Sequence, residues 1–143
     1  MNDRGHYEYL EEIATADVAF RAAGRTLEEV LVACADATLE VMLPEPDTLE
    51  PEVTRSIELS AENEEMLLFN FLGEIIFLKD AEQLLLRVTS MEVSGGRLRA
   101  ECAGDKIDAE KYALGVDVKA VTMHRFYVKR APGGWEAQVI LDI

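Results

Sequence analysis

Cysteine is scarce in this sequence: Cys34 and Cys102 stand far apart and form no CxxC pair. Each sits within an apolar pattern, so buried free thiols in a reducing cytosol are expected, with a single bridge between them left open. Long apolar runs are missing as well. No stretch approaches the ~20 apolar residues of a membrane helix, and the start of the chain has no apolar run fit for a signal peptide. A cytoplasmic protein without membrane contact is the expectation. Phosphate-cradling motifs are absent too, because Gly95-Gly96 and Gly133-Gly134 read as hairpin turns rather than as a Walker loop or a dinucleotide fingerprint. The two histidines, His6 and His124, are separated by most of the chain, and no Ser-His-Asp or Cys-His order is indicated. His124 shares strand parity with Phe126 and Val128, which predicts a packed, hydrogen-bonded core histidine.

Basic charge is in deficit. Twenty-eight acidic residues face 14 basic ones, a formal charge of −14. Phosphate capture depends on Lys/Arg neutralisation, so direct binding of RNA or of an anionic membrane is not expected. A basic protein surface, a metal ion, or plain solvation of an acidic exterior fits this charge better. What the chain does have is a core: 49% of its 143 residues are hydrophobic, enough to fold without disulfides or metal as one domain spanning 1–143.

The order of elements follows from periodicity. Tyr7–Ile13 and Asp17–Ala23 read as strands, the second with Val18, Phe20 and Ala22 on its core face. Thr26-Leu27-Glu28-Glu29 is a capping box, in which the threonine oxygen accepts from the third helical amide and Glu29 reaches back. Leu27, Val30, Leu31, Cys34, Thr38, Val41 and Met42 then follow at helical spacing, ending before Pro44. After a proline-bearing loop, Val53–Leu59 alternates as a strand. A second helix begins within Ser60–Glu65 and is apolar in nearly every direction through Leu78, which makes it the expected central packing element. Lys79 suits that helix's negative end. Leu84–Val93 and Arg97–Ala103 form a hairpin, residues 104–115 a polar excursion, and Val116–Ile143 a closing hairpin around Pro132-Gly133-Gly134. The order β-β-α-β-α-β-β-β-β predicts an α+β sandwich, a mainly antiparallel sheet packed against two main helices.

The candidate chemistry is oxygen chemistry. Asp17 and Asp142 both have parity opposite to the apolar set of their strands, and Asp142 stands beside the terminal carboxylate of Ile143. If the two strands are neighbours, these oxygens suit a hard divalent cation such as Ca²⁺, Mg²⁺ or Mn²⁺. Solvated strand-end aspartates are the plainer alternative. The turn at 132–134 pairs His124 with Leu141 and so sets Asp142 opposite Met123. Lys119 then lies four residues further along, roughly 13 Å away, too far for a direct salt bridge.

Three stretches together resemble the archease family: Tyr7-Glu8-Tyr9-Leu10 followed by Thr15-Ala16-Asp17-Val18; GRTLEE, Gly24 to Glu29, opening a helix; and Val118-Lys119-Ala120-Val121-Thr122 leading to the closing Asp142-Ile143. The LLFNFLGEIIF run, Leu67 to Phe77, is similar to that family's second helix. The resemblance implies a small cytosolic accessory protein with no turnover of its own, chaperone-like in kind. It implies assistance to a GTP-dependent RNA ligase that joins 2′,3′-cyclic phosphate or 3′-phosphate ends to 5′-hydroxyl ends, as in tRNA splicing, by promoting guanylylation and repeated turnover of the ligase. It further implies an acidic divalent-metal site (calcium, magnesium or manganese) with Asp17, Asp142 and Ile143 as ligands. Lys119 matches the lysine of the family's Val-Lys-Ala segment, as a contact to partner or nucleotide. The chain departs from the pattern at Ala14, where the family often has histidine, and by two additional residues between Leu10 and Thr15. Two other readings stand beside this one: a small metal-dependent hydrolase that activates water on the same carboxylates, and an acidic binding module diverged toward another protein.

Overall fold

The structure, a computed structural model, describes residues 4–10 and 17–143. The elements are β1 (His6–Tyr9), β2 (Asp17–Gly24), α1 (Leu27–Met42), β3 (Val53–Ser60), α2 (Glu64–Glu82), β4 (Leu84–Ser94), β5 (Arg97–Lys106), β6 (Ala120–Ala131) and β7 (Gly134–Asp142). Their order is the one the sequence predicts, and the class is α+β. The expected extension of the first strand over residues 11–13 lies outside the described residues. The strands divide into two antiparallel sheets, β1-β2-β7-β6 and β3-β5-β4, a partition that hydrophobic alternation alone does not specify.

Local chemistry explains both helix starts. Thr26 caps α1 by accepting the Glu29 amide at 3.1 Å, and the Glu29 carboxylate reaches back to the Arg25 amide at 2.9 Å, one residue earlier than in the simplest capping box. Gly24 is required there, since a Cβ at that position would sit 2.6 Å from the Glu29 Cβ. Asn63 caps α2 by accepting the Met66 amide at 2.8 Å.

Packing reverses one expectation. The central helix is α1, not α2. It packs on β1, β2 and β7 of one sheet and on β4 of the other. Val30–Ala35, Ala37–Leu39 and Met42 are all buried, so both of its faces are covered. Alanines at 33, 35 and 37 make this possible, because small side chains let sheet and helix backbones approach on either side. By contrast α2 leaves Phe77 59% exposed. It packs on β6 and on β3, β4 and β5 through Leu67, Leu68, Phe71, Leu72, Ile75 and Ile76. Hydrophobicity in every direction therefore did not mean burial in every direction.

The two hairpins close as expected, with positive φ at Gly95, Gly96 and Gly133. Residues 104–106 extend β5 instead of opening the excursion, which starts only after Lys106. Cys34 and Cys102 are both buried and free. Burial pushes the Cys102 thiol up to about 12 and raises Cys34 as well, so neither is a thiolate at neutral pH.

Candidate functional site

The site is set by strand register. β2 pairs antiparallel with β7, and its first residue, Asp17, is the cross-strand partner of the last residue of β7, Asp142. Directly opposed residues point to the same side of the sheet with Cβ atoms about 5 Å apart. That side faces away from the main core, because Phe20, Ala22, Ala137 and Val139 carry the other parity and belong to the main apolar cluster. One step inward on the aspartate side lie Ala19 and Ile140, themselves partners and both buried, yet outside that cluster. The two carboxylates thus stand at the rim of a small apolar floor. Both are partly buried. Among the described residues neither takes a side-chain hydrogen bond or a salt bridge. Like charges facing each other on a ladder are unfavourable, and among the described residues no cationic side chain pairs with either.

The third strand of the site corrects the predicted register. Near the turn, β6 and β7 pair as the sequence suggests, through Tyr127 opposite Gln138. Beyond that point four residues of β6 (123, 124, 125 and 126) face Val139 alone, three more than a straight ladder holds. Arg125 adopts φ +52° within this bulge, and the Gln138 amide donates to its carbonyl at 3.0 Å. Two consequences follow. His124 is exposed and not a core histidine. The partner of Asp142 is Ala120, not Met123, so Lys119 is drawn to the site instead of lying about 13 Å along. The Lys119 amide donates to the Asp142 carbonyl at 2.8 Å. Contact is through the main chain; the Lys119 side chain is exposed and makes no salt bridge among the described residues.

One charged residue near the site had a fuller role than its sequence position suggested. Lys79, read as a favourable charge at the end of α2, is 3% exposed. Its ammonium meets Asp117 at 2.5 Å, Asp80 at 2.6 Å and the Val118 carbonyl at 2.7 Å. Burial pushes its pKa down, but the hydrogen bonds to Asp117 and Asp80 outweigh that and leave it above the ordinary lysine value. A lysine flanked by Leu78 and Asp80 at a helix end carries no sequence sign of such burial.

The tyrosines of the first strand serve the scaffold. Tyr7 donates to Glu40 at 2.8 Å and Tyr9 to the Ala37 carbonyl at 2.6 Å. With the bidentate Arg4–Asp36 pair at 2.7 Å, they tie β1 to α1. Ala14, Thr15 and Ala16 lie outside the described residues. Among the described residues no three His, Cys, Asp or Glu side chains gather as a metal cluster, so any cation at this site takes two side-chain carboxylates at most from that set.

The two-sheet α+β scaffold places this chain in a class of protein with solved relatives. The solution structure of Methanobacterium thermoautotrophicum protein 1598 superposes with a TM-score of 0.80 at 30% identity, covering 96% of this chain and 98% of that one. The crystal structure of an archease and possible chaperone from Thermotoga maritima shares the fold, with a TM-score of 0.66 at 20% identity over 91% of this chain and 93% of that one. Residues 7–143 match the model of the Archease protein family. The chain is also 37% identical to protein archease of Pyrococcus furiosus, over the full length of both. It is 35% identical to that of Pyrococcus abyssi, over 96% of each. The chain belongs to the archease family.

Proposed function

We propose that this chain is an accessory protein that activates a GTP-dependent RNA ligase of the 3′-phosphate/5′-hydroxyl type, promoting its guanylylation and repeated turnover in tRNA splicing or RNA repair. Membership of the archease family supports the class. The observation that carries the site is the register that sets Asp17 opposite Asp142. Two carboxylates facing each other over an apolar floor, without a side-chain partner among the described residues, form an oxygen-only donor set, which fits a hard divalent cation (Ca²⁺, Mg²⁺ or Mn²⁺) and not a soft one. Asp17, Asp142 and the Ile143 carboxylate are the proposed ligands. The small number of protein donors leaves positions for water or for a phosphate oxygen, as Mg²⁺-type sites commonly do. When bound, the cation would neutralise the opposed carboxylates and present positive charge to phosphate oxygens. The residues of this chain do the rest: the acidic surface steers association with a basic partner, and the exposed Lys119 side chain reaches a ligase carboxylate or the guanylate phosphate.

Reconstitution tests this. Ligase turnover is expected to rise when the chain is added and to fall back to the unassisted level with Asp17→Ala or Asp142→Ala. Unchanged turnover with the unaltered chain would refute the proposal. A second reading, an acidic module for a different protein, is favoured by Ala14 in place of the histidine common in the family; co-purification from native cells separates the two. Phosphatase or esterase activity lost in Asp17→Ala would instead support the hydrolase.

A further inference from the structure

The buried lysine at the end of α2 is joined to the candidate site by a single peptide group. We infer that Lys79 is a positioning residue that sets where the Asp142–Ile143 end of the site lies. The ammonium has three N–H donors and meets three acceptors, Asp80, Asp117 and the Val118 carbonyl, at 2.5–2.7 Å. The two carboxylates are surface groups, with side chains 58% and 62% exposed, whereas the lysine side chain is 4% exposed. The lysine therefore reaches its partners from beneath. Its third partner matters most. The Val118 carbonyl and the Lys119 amide belong to one planar peptide unit. The carbonyl accepts from Lys79 at 2.7 Å, and the amide donates to the Asp142 carbonyl at 2.8 Å.

Three rigid groups are thus linked in series: ammonium, peptide, and the carbonyl of the Asp142–Ile143 peptide. A charge-assisted bond at one end of a peptide also polarises the donor at its other end. Val118 itself is fully buried, so this peptide has no room to turn toward solvent. The bulge at 123–126 frees β6 from the register fixed at the turn. Beyond the bulge, the pairing of residues 120–122 with 140–142 fixes β6 again, and the Lys79 bond to the Val118 carbonyl holds the segment that leads into it.

The inference rests on the cation reading for its link to affinity, but its geometric half stands apart from that reading. The test uses the full chain with Lys79→Met, which keeps the stem and removes the donors, and with Asp117→Asn, a surface change that loosens the ammonium's hold. Two readouts are taken: amide hydrogen exchange at Lys119, and Mn²⁺ affinity by titration. In Lys79→Met, exchange at Lys119 is expected to quicken about 10-fold or more while Phe20 and Val139 keep their protection. Mn²⁺ affinity is expected to fall about 10-fold, the usual scale for losing a group that orients a ligand. Asp117→Asn shifts both in the same direction by less, and it decides the matter alone if Lys79→Met does not fold. Unchanged exchange at Lys119, or a uniform rise across the β2–β7 ladder, overturns the positioning role. Faster exchange with unchanged Mn²⁺ affinity overturns the link to the site. If the unaltered chain binds no Mn²⁺, the cation reading fails, while the exchange data still decide whether Lys79 holds the Asp142 carbonyl.

Discussion

Two aspartates near strand ends, Asp105 in β5 and Asp142 in β7, are in opposite circumstances. Asp105 is buried and saturated: Lys111 and the Tyr112 hydroxyl each donate at 2.6 Å, and the Lys106 amide donates at 2.9 Å. Those bonds, that from Lys111 first, hold its carboxyl down at about 2. Asp142 is partly exposed, faces another carboxylate across the ladder, and has no side-chain partner among the described residues. The chain can satisfy a strand-end carboxylate fully when it serves the fold. Leaving two of them face to face stores an electrostatic cost that a cation or a basic partner would relieve.

The sharpest way to break this contrast is function. Asp142→Asn keeps the shape of the side chain and is expected to abolish stimulation of the ligase, while Asp105→Asn is expected to leave stimulation intact wherever the protein remains folded. Single-turnover guanylylation of the ligase measures both. Equal losses in the two variants would mean that the opposed pair has no special role.

Stability is expected to sort the other way. Asp105→Asn leaves the Lys111 ammonium without its main partner and lowers Tm by roughly 5 °C, read by thermal unfolding. The pH dependence has a definite sign. A carboxyl held below its ordinary value of 3.8 in the folded state contributes stability that is complete above that value. The contribution is lost as pH falls toward about 2. Asp105→Asn should therefore flatten the acid limb of stability between roughly pH 4 and 2.

How far the sequence reveals this contrast depends on the distance over which each feature is encoded. The caps at Thr26 and Asn63 and the turns at Gly95 and Gly133 are local, and the residues that form them are adjacent in sequence. The meeting of Asp17 with Asp142 was legible in part, because parity put both on the side away from the core; that their strands are neighbours needed the fold. The bulge at 123–126 was not legible. No glycine, asparagine or aspartate marks Arg125, although its φ is +52°, and the bond its carbonyl accepts comes from Gln138, on the neighbouring strand. That one irregularity accounts for the misplaced Lys119 and for the exposed His124. The role of α1 is hidden for a related reason: its alanines at 33, 35 and 37 are weak markers of an apolar face, yet all three are buried and leave α1 covered on both sides.

The smallest expected effect isolates the electrostatics of the pair itself. With chelator present to remove divalent ions, Asp17→Asn takes away a like charge directly across the ladder from Asp142. It should raise stability by about 0.2–1 kcal/mol in urea unfolding, the range for a cross-strand pair. Salt screens such partly exposed charges, so the gain should shrink as ionic strength rises from about 0.01 M, where the Debye length is roughly 30 Å, to about 1 M, where it is roughly 3 Å. Adding Mn²⁺ should reverse the order, because a ligand that binds the native state stabilises the unaltered chain and not the variant. If Asp17→Asn is destabilising in chelator, the carboxylate already has a partner in the fold, and the two strand-end aspartates are not the opposites they appear in register and burial.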